Sequence, residues 1–234
     1  MTEPLPCRLL IDLPLSGLRN MAIDEVLLNS GRQGLATLRF YQWARPTVSL
    51  GHFQAAQGQF VPERFHGLDV VRRLSGGGAI LHDRELTYSC VLPNSHPLTL
   101  DPIQIYDAVH AGIIQGMKTF GVSCRFRGDE AFADQSFLCF SRGDERDLLI
   151  GNQKIVGSAQ RRRQGTILQH GSILLSRSDQ APEFPGILEL AGTAVTAEDL
   201  IPVLTREWAE RLNLALTPGT LTADELQAVE QRAK

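Results

Sequence analysis

No run of apolar residues approaches the length of about 18 that a membrane-spanning helix needs, so a helical membrane protein is excluded. Cys-x-x-Cys pairs are also missing. Cys7, Cys90, Cys124 and Cys139 lie far apart and no histidine spacing suggests a zinc site, so reduced thiols and no bound metal are expected. There is no excess of positive charge. The net charge is −3 and the run Arg161-Arg162-Arg163 is local, which gives no reason to expect nucleic acid as a partner. Met1 to Pro14 is broken by prolines and charges and does not read as a signal peptide, so a cytoplasmic location is expected. Internal repeats, low-complexity tracts and convincing linkers are absent, and one domain over residues 1–234 is the expectation. The familiar nucleotide loops are absent too: Leu81 stands where a dinucleotide fingerprint needs its third glycine, and no Gly-Lys-Ser/Thr ending occurs.

What is present is the stretch Val70-Val71-Arg72-Arg73-Leu74-Ser75-Gly76-Gly77-Gly78-Ala79-Ile80-Leu81-His82-Asp83. Two apolar runs flank a loop with two guanidinium groups, a hydroxyl and a glycine triplet. Each glycine costs roughly 0.5–1 kcal/mol of backbone ordering relative to Ala, so a triplet between strands points to positive φ or to close approach of a ligand. Beside Arg72 and Arg73, that ligand is an anionic or carbonyl-bearing group held by backbone N–H donors. A tight turn with incidental arginines is the bland alternative.

The 43% hydrophobic and 21% charged composition is that of an ordinary globular chain. Asn20–Leu28 reads as an amphipathic helix with Ile23, Val26 and Leu27 on one face, Asp24 and Glu25 in its first turns, and Gly31 as its stop. Thr37–Trp43, Thr47–Phe53, Val70–Arg73, Ala79–His82, Leu86–Leu92, Val122–Phe126 and Gly165–Leu175 read as strands. Leu148–Val156 reads as a hairpin about a Gly-Asn turn. Asp101-Pro102 begins a helix whose core stripe is Ile105, Val109, Ile113 and Met117, with Gly121 at its end. Thr196-x-x-Asp199 and Thr222-x-x-Glu225 resemble helix-start boxes in a short C-terminal extension over about 196–234. Many hairpin joins and few helices argue an α+β fold with a mixed or antiparallel sheet.

A second constellation reads Leu138-Cys139-Phe140, then Lys154-Ile155-Val156-Gly157-Ser158-Ala159, then Gln169-His170-Gly171-Ser172. A lysine in an apolar strand is awkward unless its ammonium reaches solvent or a partner, and Asn152 and Gln153 leave a surface hairpin open as the alternative. The functional reading is a cation donating to an acyl oxygen and favouring the thiolate of a nearby cysteine. Cys139 alone is a small buried hydrophobe as readily as a nucleophile, and His82 and His170 alone are core histidines as readily as pocket residues.

Together the Arg-Arg-x-Ser-Gly-Gly loop with its following His82, Lys154 before Gly157-Ser158-Ala159, and His170-Gly171-Ser172 resemble the lipoate–protein ligase, octanoyltransferase and biotin–protein ligase superfamily. The resemblance covers about residues 20–215. It implies a class II synthetase-like catalytic domain, a mixed β-sheet flanked by helices that lie mainly on one side. The Cys-Phe pair ahead of the lysine resembles the cysteine-dependent octanoyltransferase branch, whereas Gly78 and the segment Ser141–Arg146 depart from that branch's usual spelling. The implied activity is transfer of an octanoyl or lipoyl group from an acyl carrier protein to a lysine of a lipoyl-domain protein, such as glycine cleavage H protein or a 2-oxoacid dehydrogenase E2. Cys139 and Lys154 are the implied catalytic pair, and no cofactor is needed. Arg72, Arg73, Ser75, Gly76, Gly77, Gly78, His82, Gly157, Ser158, Ala159, His170 and Gly171 are the implied substrate-binding residues. Val70, Val71, Ile80 and Leu81 are candidates to line the acyl slot, or simply core. The alternatives are an ATP- and Mg²⁺-dependent lipoate–protein ligase, an amidotransferase between lipoyl domains, and an idle lipoyl-binding module.

Overall fold

Alternation along the central strands sorts the side chains onto two unlike faces, one largely apolar and one heavily polar. The computed structural model describes residues 3–56, 61–129 and 137–233. In chain order the elements are β1 (Leu5–Ile11), α1 (Gly17–Gly31), β2 (Ala36–Tyr41), β3 (Thr47–Leu50), α2 (His52–Ala56), β4 (Asp69–Arg72), β5 (Ile80–His82), β6 (Glu85–Leu92) and α3 (Pro102–Lys118). There follow β7 (Arg125–Phe126), a 3₁₀ turn at Cys139–Ser141, β8 (Leu148–Ile150), β9 (Gln153–Arg163), β10 (Thr166–Leu174), α4 (Ile187–Ala191), α5 (Ala197–Arg211), β11 (Leu214–Pro218) and α6 (Ala223–Arg232). The main sheet runs β11-β1-β2-β6-β10-β9-β8-β7. β1 is parallel to both β11 and β2, and the remaining neighbours are antiparallel. It is the mixed sheet the sequence implies. No described helix is long and apolar enough to cross a membrane.

On the apolar face Leu38, Phe40, Leu86, Tyr88, Ile167 and Ile173 pack against the stripe Ile105, Val109, Ile113 and Met117 of α3 and against Leu200, Leu204 and Trp208 of α5. On the other face Leu10, Val91 and Leu168 meet Ile23, Val26 and Leu27 of α1 and Val229 of α6. Helices therefore cover both faces, where the resemblance implied mainly one. The segment 196–234 is more than a helical extension, because β11 forms the sheet edge beside β1.

Caps fix several boundaries. Asp101 accepts from the Ile103 N–H with Pro102 opening α3, and the Thr196 and Thr222 boxes open α5 and α6. α1 begins one turn earlier than read, where Ser16 accepts from the Arg19 N–H. Asp24 and Glu25 are thus mid-helix residues. The expected strand Thr47–Phe53 stops at Leu50, and a short helix follows Gly51. Near Val122 only Arg125–Phe126 is strand.

A second sheet, β4-β3-β5, lies over the polar face. β3 sits in the middle, parallel to β4 and antiparallel to β5. The two strands that flank the glycine loop are therefore not paired with each other, and the loop must cross the end of β3. That crossing places residues 74–78 between the two sheets.

Candidate active site

The sheets and the Cys139 turn enclose a cavity of about 540 Å³, counting its open mouth. Met21, Tyr41, Trp43, Ile80 and Phe140 give it apolar walls. Cys139, Lys154, Arg73, Gly76, Gly77, His82, Gly157, Ser158, Ala159, His170 and Gly171 also line it. Most of the site residues expected from sequence are thus brought to one place.

Lys154 is the pivot. It is nearly buried on β9, with Nζ 2.9 Å from Asp147 Oδ1 and 3.9 Å from Cys139 Sγ. Nζ also donates to the carbonyls of Cys139 and Arg142, each at 3.4 Å, so the ammonium is caged without leaving the cavity. Gly157 makes room for this arched chain: a Cβ there would lie 2.7 Å from Lys154 Cε. Burial pushes the Asp147 carboxyl up, against the opposing pull of Lys154. Cys139 is half-buried and its N–H donates to the Ala79 carbonyl at 2.6 Å, so the glycine loop and the cysteine turn are joined directly. The other three thiols are buried, and desolvation pushes Cys7 to about 12, Cys124 to about 11 and Cys90 upward as well. Cys139 is the thiol placed to react.

Arg73 stands in the cavity wall, as expected, with its donors turned to the backbone. Only 3% exposed, it donates through Nη2 to the carbonyls of Gly76 (2.7 Å) and Gly78 (2.6 Å) and through Nη1 to that of Ser49 (2.9 Å). Burial lowers it to about 10. Gly77 has φ +91°, and a Cβ on it would lie 3.0 Å from Arg73 Nη2 and 4.0 Å from Cys139 Sγ. Gly78 is covered by Arg142. Arg72 is exposed and lies outside the cavity wall. Of the four slot candidates only Ile80 lines the cavity; Val70 is 44% exposed, Val71 packs with Tyr41 and Trp43, and Leu81 borders a separate cleft.

The histidines are held in buried polar chains. His170 Nδ1 lies 3.2 Å from Asp24 Oδ2 and Nε2 lies 2.5 Å from Ser75 Oγ. Burial alone would push the Asp24 carboxyl up, but the His170 hydrogen bond and the Arg39 charge hold it below its usual range. Tyr41 and Ser89 donate to the same carboxylate. Ser158 turns its hydroxyl to the opposite face of the sheet, where it meets Tyr88 OH (2.5 Å) and His110 Nε2 (2.6 Å). Its backbone, not its side chain, faces the cavity. Gly171 is required there because Tyr88 and Ser158 meet across it: a Cβ would lie 2.5 Å from Ser158 Oγ and 2.7 Å from Tyr88 OH. Asp147, Asp24, Glu85 and His110 are contributors that the sequence reading missed. Only Asp24 carried a usable signal, an acid one turn from both Asn20 and Leu27 on a buried helix face.

A half-buried thiol stands beside a caged ammonium, and both line a largely apolar cavity. The chain belongs to the lipoyl protein ligase A/B catalytic domain family, whose model matches residues 16–202. It is 36% identical to octanoyltransferase LipM of Geobacillus kaustophilus strain HTA426, over 92% of this chain and 89% of that one. It is 31% identical to octanoyltransferase LipM of Brevibacillus brevis, over 96% and 93%. Among solved structures, lipoate-protein ligase A bound with ATP superposes with a TM-score of 0.78 at 21% identity, covering 97% of this chain and 94% of that one. The bi-partite lipoate protein ligase of Thermoplasma acidophilum gives 0.76 at 20% identity, over 98% and 92%. These two establish the fold.

Proposed function

We propose that this chain is a protein octanoyltransferase of lipoylation, acting in the cytoplasm through an acyl-thioester on Cys139. The observation that carries the reading is Lys154 Nζ placed 3.9 Å from Cys139 Sγ at the end of an apolar cavity. The relatives named octanoyltransferases support it. The Cys139 thiolate attacks the carbonyl carbon of an octanoyl-carrier-protein thioester, and the carbon–sulfur bond to the donor breaks, releasing the donor thiol once it takes a proton. The ε-amine of a lysine on a lipoyl-domain acceptor then attacks the same carbon. The Cys139 carbon–sulfur bond breaks, the amine's proton passes to the thiolate, and an amide remains. Lys154 holds charge on sulfur and oxygen through both steps. The apolar walls hold the alkyl tail at about 0.8 kcal/mol per buried CH₂. The donor thioester carries the activation, so neither ATP nor Mg²⁺ enters the reaction.

The test is incubation with octanoyl-carrier protein and an apo lipoyl domain without ATP. Intact-mass analysis should find an octanoyl adduct on the enzyme that hydroxylamine removes, absent from Cys139→Ala, and octanoyl amide on the acceptor. An adduct that persists in Cys139→Ala removes Cys139 from the reaction. Acceptor modification that requires ATP and free octanoate establishes the ligase reading instead.

A further inference from the structure

Arg73 spends its donors on backbone carbonyls, and what holds Arg73 is a chain of side chains that ends at a buried carboxylate. Nη1 donates to Ser49 Oγ at 3.2 Å, Ser49 Oγ lies 2.8 Å from His82 Nε2, and His82 Nδ1 lies 2.6 Å from Glu85 Oε1. Thr87 and Ser172 donate to that same Glu85 oxygen, at 2.6 and 2.9 Å. A carboxylate only accepts, which places a proton on His82 Nδ1; in the neutral ring Nε2 is then an acceptor. The Ser49 hydrogen is thereby directed to His82, and the Ser49 oxygen is left to receive Arg73. The His82 ring is fixed sideways as well, stacked on Trp43 at 3.9 Å.

The consequence falls on the peptide planes of the glycine loop. These peptide bonds are trans, so each N–H points opposite to the carbonyl of the preceding residue. The Gly76 carbonyl is turned to Arg73, which turns the Gly77 N–H away from the guanidinium. The Gly77 carbonyl lies against Gly51, where a Cβ would overlap it, which turns the Gly78 N–H away from Gly51. Among the described residues no acceptor meets the N–H of Gly77 or of Gly78.

We propose that Glu85, His82 and Ser49 are positioning residues which, through Arg73, hold the glycine loop with the Gly77 N–H presented to the acyl oxygen on Cys139. The inference rests on the acyl-enzyme reading above and adds to it a second source of oxyanion stabilisation beside Lys154. Loss of one oxyanion donor slows comparable reactions by about 10²–10³-fold.

Two reactions of the same sulfur separate this role from a merely structural one. Acylation of Cys139 by octanoyl-carrier protein passes through an oxyanion; alkylation of Cys139 by iodoacetamide does not. Ser49→Ala removes the hydroxyl between Arg73 and His82. His82→Phe keeps a flat ring against Trp43 but breaks the chain. Both should lower the acylation rate by roughly ten- to a hundredfold while leaving the alkylation rate and the donor KM within about threefold. Glu85→Gln, whose amide oxygen still accepts from His82, should retain more acylation than Glu85→Ala. Should His82→Phe fail to fold, Ser49→Ala decides the matter. Unchanged acylation in the folded variants overturns the inference, as does acylation falling in step with alkylation. A wild type with no hydroxylamine-labile adduct overturns the Cys139 reading itself, and that result is visible before any variant is made.

Discussion

Lys154 stands between two partners, the Asp147 carboxyl at 2.9 Å and the Cys139 sulfur at 3.9 Å. An opposite charge at about 4 Å contributes on the order of 1–4 kcal/mol, depending on local polarity. Replacing Lys154 by Met keeps much of the apolar stem and removes that charge, so alkylation of Cys139 at pH 7 should slow by about tenfold or more. Lys154→Arg should recover part of the rate, with poorer geometry for the acyl oxygen. Because the other thiols are buried and pushed upward, single-site alkylation can be read by mass without replacing them; equal alkylation rates in wild type and Lys154→Met would break the coupling. Gly77→Val tests the neighbouring loop. At φ +91°, with a Cβ 3.0 Å from Arg73 Nη2, valine is both strained and obstructed, so turnover should fall by about a hundredfold or more. The thermal midpoint should stay above assay temperature; a variant unfolded there would make the loop structural. Reading residues one at a time singled out Cys139, Lys154 and the loop because each is chemically unusual where it stands, and the fold brings them to one cavity. It placed Arg73 in the cavity wall, where it stands, but could not show that its donors go to backbone carbonyls. It misjudged Asp24, placed near a helix start when α1 begins at Gly17 and buries it.

At the scale of elements, β9 and β10 carry two glycines with opposite duties. Gly171→Ala drives a methyl into Ser158 Oγ, Tyr88 OH and the Gly157 carbonyl at 2.5, 2.7 and 2.8 Å, two of them anchored and one backbone. Overpacking of that kind should cost about 3 kcal/mol or more, seen as a lower midpoint in urea unfolding. Gly157→Ala meets instead the flexible end of Lys154, at 2.7 Å from Cε, and should leave stability largely intact while turnover collapses. The reverse pattern, in paired unfolding and turnover measurements, would contradict the assignment. The strands themselves were legible, since Leu86–Leu92, Gly165–Leu175 and the Gly-Asn hairpin need only local pattern and turn chemistry. What the local pattern could not supply was pairing. Two strands flanking a glycine loop suggest a hairpin, and only the interposed β3 reveals a crossover. Nor does any local signal mark Glu85, His110 or Asp147, whose partners stand across the sheet or in another loop.

The whole molecule carries its acid sensitivity in buried histidines. Burial above all pushes His110 down to about 4 from an ordinary 6.5, with Nδ1 donating to the Arg146 carbonyl and Nε2 accepting from Ser158. His96 is lowered in the same direction by burial. The unfolded chain therefore binds protons that the folded chain refuses, and stability present above about pH 6.5 is lost as pH falls toward 4. For His110 the loss amounts to about 3 kcal/mol. Below that window the carboxylates of Asp24 and Glu225, held low by His170, Arg39 and Arg8, contribute a second loss as they protonate. Urea midpoints at pH 7, 5.5 and 4.5 should fall progressively, and His110→Asn should flatten that fall. A profile unchanged by that substitution would place the acid sensitivity elsewhere.

The pairing of β1 has a further meaning during synthesis. Leu5 is registered against Leu214, so β1 waits for a strand some two hundred residues later to complete its hydrogen bonds. Until residues 214–218 leave the ribosome, one edge of β1 is an open template, and long-range pairing of this kind is slow and exposed to capture by a neighbouring nascent chain. Arg8 of β1, which clasps Glu225 at 2.7 Å, cannot lock until α6 has also emerged. Nascent chains stalled just short of Leu214 should remain open to protease across β1, and chains released past Arg232 should be resistant.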